Sequence, residues 1–117
     1  MVTKVVVADQ FFRDAHKLQK RYPNILKDVR ALREQLTTGE QPGDRLQGLT
    51  YKAYKVRLKN SDAKRGKSGG YRAVYYVETA EQVVMITIYS KSDQSDIATE
   101  TLRQFIAEYE AQHPPET

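Results

Sequence analysis

The amino-acid sequence predicts an α+β fold in the order βααβββα, a small antiparallel sheet packed against two N-terminal helices with a C-terminal helix. Three features carry that expectation. Short runs rich in Tyr, Val, Ile and Thr follow one another through the second half of the chain. Apolar residues near both ends recur at spacings of three and four. Between these blocks, Glu40 to Leu49 is turn-rich and without period, which suits a loop leading from helices to sheet.

The elements follow in order. Lys4 to Ala8 is a β-branched run of strand length. Asp9 is placed to cap a helix with Phe12, Ala15, Leu18 and Tyr22 as its apolar stripe, and Pro23 interrupts it. A second helix begins near Pro23, a residue favoured in a first turn; Ile25, Val29, Leu32 and Leu36 form its buried stripe, which ends before Gly39. The two helices are expected to pair antiparallel. Strands are then expected at Tyr51 to Lys59, Tyr71 to Glu78 and Gln82 to Ser90, the last two joined into a hairpin by the short connection at Thr79 to Glu81. Asp93 or Ser95 is placed to cap a last helix with the stripe Ala98, Leu102, Phe105 and Tyr109. At 117 residues the chain fits a single domain, expected over residues 1–112, with 113–117 as a flexible tail.

Composition narrows the function classes. No apolar run approaches the roughly 20 residues of a membrane span, and Met1-Val-Thr-Lys leads straight into Val5-Val-Val, too short for a secretory core segment. With no cysteine there is neither a disulfide nor a thiolate metal site, and a reducing, cytoplasmic location is expected. His16 and His113 lie far apart and no carboxylates show metal-ligand spacing, so neither a metal nor a cofactor is expected. Gly69-Gly70 is too short for a phosphate-cradling loop and reads as turn geometry. His16 flanks a helix stripe and His113 sits in the tail, which suits neither to act as a base.

Charge is concentrated. Between Lys55 and Arg72, seven of the nineteen Lys and Arg residues stand against one acid, Asp62. Subtracting that net +6 from the whole-chain +4 leaves −2 for the rest, a near-neutral body with one cationic patch suited to phosphate. Lys55, Arg57 and Lys59 alternate with Tyr54, Val56 and Leu58, as cations along one face of a strand do. On the last strand Val84, Ile86 and Ile88 are expected in the core, turning Met85, Thr87, Tyr89 and Lys91 outward. If these outer faces coincide, Lys55, Arg57, Lys59, Tyr89 and Lys91 share one surface. Arg72 joins them if the middle strand turns Tyr71, Ala73, Tyr75 and Val77 inward, a choice alternation leaves open because both its faces are semi-apolar.

Such a surface holds a phosphodiester and stabilises its extra transition-state charge, with Arg presenting a planar fork to two phosphate oxygens. Proton transfer is the harder half, since ordinary Lys and Tyr, with pKa values of about 10, are poorly matched to neutral pH. Plainer readings exist for each part: a basic loop as a solvated anion-attracting feature, outward cations as protection against edge-to-edge aggregation, and Tyr89 as a packing residue rather than a platform for a base.

The string from Tyr54 through Gly69-Gly-Tyr-Arg to Tyr76, followed by Ile86-Thr-Ile-Tyr-Ser-Lys-Ser-Asp-Gln-Ser-Asp-Ile, resembles the RelE/HigB branch of the RelE/ParE superfamily of bacterial type II toxins. Tyr22-Pro-Asn-Ile and Pro42-Gly-Asp-Arg-Leu-Gln-Gly-Leu resemble it too, so the likeness spans almost the whole chain. It implies a ribosome-dependent, metal-independent mRNA endoribonuclease (an mRNA interferase) that enters the ribosomal A site, among rRNA. There it inhibits translation by cutting mRNA through attack of the 2′-hydroxyl, and a cognate antitoxin holds it inactive. Carried over, Arg57 and Arg72 bind the phosphate, Lys55 transfers a proton, Lys91 contacts the leaving group or phosphate, and Tyr89 stacks beneath a base. Lys59, Lys64, Arg65 and Lys67 are the further RNA-binding cations. RelE itself has a tyrosine shortly after the last strand, where this chain has Ile97-Ala98, and a second basic residue where it has Ser92. Its proton-transfer scheme therefore does not transfer, and Tyr89 is the substitute, as in the HigB-like Ile-Tyr-x-Lys ending. The alternatives are a ParE-type gyrase inhibitor on the same fold and a non-catalytic RNA-binding module.

Overall fold

The computed structural model describes residues 2–63 and 70–114. Eight elements run in the order β1 (Lys4–Val7), α1 (Asp9–Gln19), α2 (Ile25–Thr37), β2 (Asp44–Arg45), β3 (Ala53–Leu58), β4 (Tyr71–Thr79), β5 (Gln82–Ser90) and α3 (Thr99–Gln112). They build one five-stranded sheet in the order β1-β5-β4-β3-β2. The α+β class stands, but the sheet is mixed rather than antiparallel, because β1 runs parallel to β5. Two helices separate β1 from the rest, which lets the chain return and lay its last strand alongside its first. The expected hairpin is β4 and β5.

β2 replaces part of the expected loop. Asp44 and Arg45 carry no strand propensity; pairing opposite Lys55 and Tyr54 makes the strand. Gly43 permits the approach: it has a positive φ, and a Cβ there would lie 2.4 Å from the Lys55 carbonyl oxygen, where no side chain fits.

Two helix stripes are shifted from expectation. In α1 the buried residues are Phe11, Ala15 and Leu18, also spaced by four and three, while Phe12 is 61% exposed. Two adjacent phenylalanines offer two phases of one stripe, and packing against the sheet selects one. In α3 the buried set is Leu102, Ile106 and Tyr109, with Phe105 half-buried and Ala98 exposed before the first turn. No expected side-chain cap forms: Asp9 is already inside α1 and the residue before α3 is Ala98. Asp9 and Glu100 instead place negative charge in the first turns, where the helix dipole favours it. In α2, Ile25, Leu32 and Leu36 are buried and Val29 is half-buried, as its spacing predicts.

The core lies on both sides of the sheet. Phe11, Leu18, Ile25, Leu32 and Leu36 pack with Val56, Leu58, Tyr71, Ala73 and Tyr75 on the face under α1 and α2. Ile106 and Tyr109 pack with Ala53, Tyr76, Val84 and Ile86 on the opposite face. The expected single row Val84, Ile86, Ile88 is divided between the two. Val74 pairs with Thr87 but Tyr75 pairs with Met85, so Ile86 is an extra residue, a β-bulge that resets the alternation. Met85 therefore joins Val83 and Ile88 under the N-terminal helices, while Val84 and Ile86 face α3.

Candidate functional site

Strand register assembles the site. Arg57 pairs with Arg72, and Arg72 with Tyr89, forming one row across three strands; beside it runs the row Lys55, Val74, Thr87. Side chains in one cross-strand row project from the same face. The middle strand does turn Tyr71, Ala73 and Tyr75 into the core, so Arg72 lies on the face of Lys55 and Arg57. The bulge restores the phase after Met85, bringing Thr87 and Tyr89 to that face.

Arg72 is only 7% exposed. Its guanidinium donates to the Tyr71 carbonyl at 3.2 Å, and among the described residues it forms no ion pair. A buried cation in that state costs free energy unless an anion joins it, and the guanidinium keeps further donors for one. Arg57 is exposed beside it. Lys55, with 29% of its side chain exposed, is ion-paired to Asp96 at 3.0 Å. Lys91 lies just past β5, its backbone N–H on the Gly70 carbonyl and its ammonium on the Ser95 carbonyl at 2.9 Å, so it stands at the rim. Lys59 is exposed beyond the end of β3. Lys64, Arg65 and Lys67 lie outside the described residues.

Asp96 is the group that sequence reasoning missed. Its carboxylate accepts from Lys55, from the Ile97 backbone N–H at 2.8 Å and from the Tyr89 phenol at 3.4 Å. The Lys55 hydrogen bond, then the Ile97 N–H, holds it below the ordinary carboxylate range, so it is ionised at neutral pH. Burial first, then the Asp96 charge and hydrogen bond, push the Tyr89 phenol up, with Arg72 opposing; the phenol stays neutral and donates. Tyr89 is 5% exposed. It therefore has no open ring face for a stacked base, and its place is beneath Asp96. No signal in Ser-Asp-Gln-Ser-Asp marks Asp96, because the segment after β5 delivers it by folding back over the sheet.

The one acid of the basic stretch is also accounted for. Asp62 accepts from the Asn24 backbone at 2.8 Å and its side-chain amide at 2.7 Å, while the Ser61 backbone and hydroxyl donate to Asp28. These bonds tie the chain leaving β3 to the start of α2.

Among the described residues, no group of three or more His, Asp or Glu is placed to hold a metal ion, and no helix is long and apolar enough to cross a membrane. The arrangement suits an anion held by two guanidinium groups, with an ammonium–carboxylate pair beside it.

A family model described as the RelE toxin of the RelE/RelB toxin–antitoxin system matches residues 11–112. No curated protein matches the sequence. Among solved structures, an arginine-to-alanine double mutant of the E. coli toxin RelE in the free state superposes with a TM-score of 0.53 at 19% identity, over 97% of this chain and 99% of that one. At that identity the likeness speaks for the fold.

Proposed function

The chain belongs to the RelE toxin family of toxin–antitoxin systems, with an antitoxin as its partner, and from that premise we propose that it is a ribosome-dependent, metal-independent mRNA endoribonuclease acting in the cytoplasm. The observation that carries this reading is the Arg57–Arg72–Tyr89 row with Lys55 beside it on one face of the sheet.

Arg57 and Arg72 hold the scissile phosphate of mRNA in the ribosomal A site; Arg72, already desolvated, gives the stronger contact to the charge that grows as the 2′-hydroxyl attacks. Lys55 serves proton transfer together with Asp96. The carboxylate accepts the 2′-hydroxyl proton and the ammonium hands one to the departing 5′-oxygen, leaving a cyclic phosphate on one fragment and a hydroxyl on the other. The low pKa of Asp96 limits its strength as a base, so positioning and charge stabilisation provide most of the acceleration. Tyr89 holds Asp96 in place, and Lys91 meets the phosphate or leaving group from the rim. Lys59, Lys64, Arg65 and Lys67 attract the RNA and rRNA backbone.

Primer extension on ribosome-bound message tests the reading. Wild-type protein is expected to leave breaks inside translated regions, and Arg72→Ala to reduce them by about 10²–10³-fold, the usual cost of removing a charge-stabilising donor. Cutting by Arg72→Ala at the wild-type rate would remove the guanidinium from the mechanism. Inhibition of gyrase supercoiling without any RNA breaks would replace the proposal with the ParE-type activity.

A further inference from the structure

Asp96 is delivered by the segment from Lys91 to Ala98, which belongs to neither helix nor strand. Its backbone bonds are those of a turn, from Asp93 and Gln94 to the Ser90 carbonyl at 3.0 and 3.2 Å, together with the bond from Lys91 to Gly70. Asp96 meets the sheet through one oxygen: Lys55, Tyr89 and the Ile97 N–H all donate to Oδ1, and among the described residues Oδ2 has no partner. The Asp96 side chain is 65% exposed. A group this open on an irregular segment keeps a productive direction only if the segment itself is fixed. Lys55 alone is a poor anchor, because a phosphate arriving beside its ammonium competes with Asp96 for the same charge.

A second tie reaches the segment from the helices. Arg21 follows α1, with its own backbone N–H and that of Tyr22 on the Leu18 carbonyl at 3.1 and 2.9 Å, and Leu18 is buried in the core. The root of the side chain is thus held by the last turn of the helix. Its guanidinium is hydrogen-bonded and ion-paired to the Asp93 carboxylate, and it lies over the Tyr22 ring, 5.1 Å from the centroid. Tyr22 meets Tyr71 edge to face with centroids 5.8 Å apart, and Tyr71 carries the carbonyl on which the Arg72 guanidinium rests. Among the described residues no other hydrogen bond joins the segment to α1 or α2.

We propose that Arg21 is a positioning residue for the cleavage reaction: by gripping Asp93 from the end of α1, it holds the segment so that Asp96 stays beside Lys55 when the phosphate binds. This rests on the nuclease reading above and deepens it. Arg21 touches no reacting atom and acts through Asp93. With 54% and 38% of the two side chains exposed, the pair contributes little to folding stability. Its effect is on geometry, to which reaction rates are far more sensitive than stability is.

Arg21→Ala, Asp93→Ala, the double variant and the charge exchange Arg21→Asp/Asp93→Arg test this in the full chain, by NMR titration of the Asp96 carboxyl carbon and by the rate of cutting of ribosome-bound message. Each single variant is expected to keep the wild-type denaturation midpoint and to move the Asp96 titration up to the ordinary carboxylate value, because its contact with the Lys55 ammonium loosens. Each is expected to slow cutting at saturation about tenfold, below the roughly 10²-fold cost of a misplacement of about 1 Å, with the half-saturating concentration unchanged. The double variant is expected to be no slower than either single one, since both break the same link, and the charge exchange to restore rate and titration together. An Asp96 titration unmoved in both single variants would overturn the proposal. So would faster or tighter cutting by Asp93→Ala beside slow cutting by Arg21→Ala, the pattern of an arginine that grips RNA directly. A shifted Asp96 titration in a protein whose wild type leaves message uncut would uphold the hold of Arg21 on Asp96 while sinking the nuclease proposal.

Discussion

One face of the sheet contains two regions built by the same three strands. At one end Ala53, Tyr76, Val84 and Ile86 lie under Ile106 and Tyr109 of α3, dry and apolar. A few residues along, the same face presents Lys55, Arg57, Arg72 and Tyr89, with the chain between β5 and α3 folded across it. Backbone geometry is shared between the halves, so the difference comes from the roof. Where a helix excludes water, apolar side chains stabilise the fold; where it stops, the same register presents cations. The β-bulge at Ile86 lies at the transition and turns Ile86 toward the roof while keeping Tyr89 with the arginines.

This contrast predicts opposite outcomes for substitutions in the two halves. The largest effect is expected from Arg72→Ala: the fall in cleavage described above, with a denaturation midpoint held or raised, because removing an unpaired buried charge relieves desolvation. Ile106→Ala, under the roof, is expected to cost about 2–5 kcal/mol in denaturant melts while leaving cleavage per folded molecule unchanged. Loss of chemistry in Ile106→Ala, or collapse of stability in Arg72→Ala, would break the division.

Smaller effects sharpen it. Burial raises the phenols of Tyr71, Tyr75 and Tyr76 above the ordinary tyrosine value. Their folded pKa values exceed the unfolded value of about 10, so stability is retained below that pH and lost as the pH rises above it. Absorbance titration should show these phenols ionising only as the protein unfolds. Asp96 has the reverse sign. Its folded pKa is depressed, so the link to Lys55 persists down through the ordinary carboxylate range and opens only below it. A carboxyl-carbon titration by NMR that placed Asp96 at the ordinary carboxylate value would remove that link.

Much of this division is legible in the residues, because strict alternation of Lys55 and Arg57 with Val56 and Leu58 leaves one phase for the cations. The middle strand was undecidable by the same logic, with tyrosines or valines on both faces, and its pairing with β3 and β5 settles it. Ile86 could not be recognised as a bulge, since every residue from Val83 to Ile88 suits a strand in either phase. β2 is made by Gly43 and its neighbour strand rather than by propensity. Asp96 reaches Lys55 and Tyr89 on a folded-back segment, and its separation in sequence from Lys55 leaves no periodic trace.

The most direct measurement of the central claim is the chemistry of the cut ends. Message recovered from ribosomes incubated with wild-type protein is expected to carry 2′,3′-cyclic phosphate and 5′-hydroxyl ends, and the folded Arg57→Ala/Arg72→Ala variant to leave it intact. Ends bearing a 3′-hydroxyl and a 5′-phosphate, or undiminished cutting by the double variant, would contradict an RNA linkage broken between these two arginines.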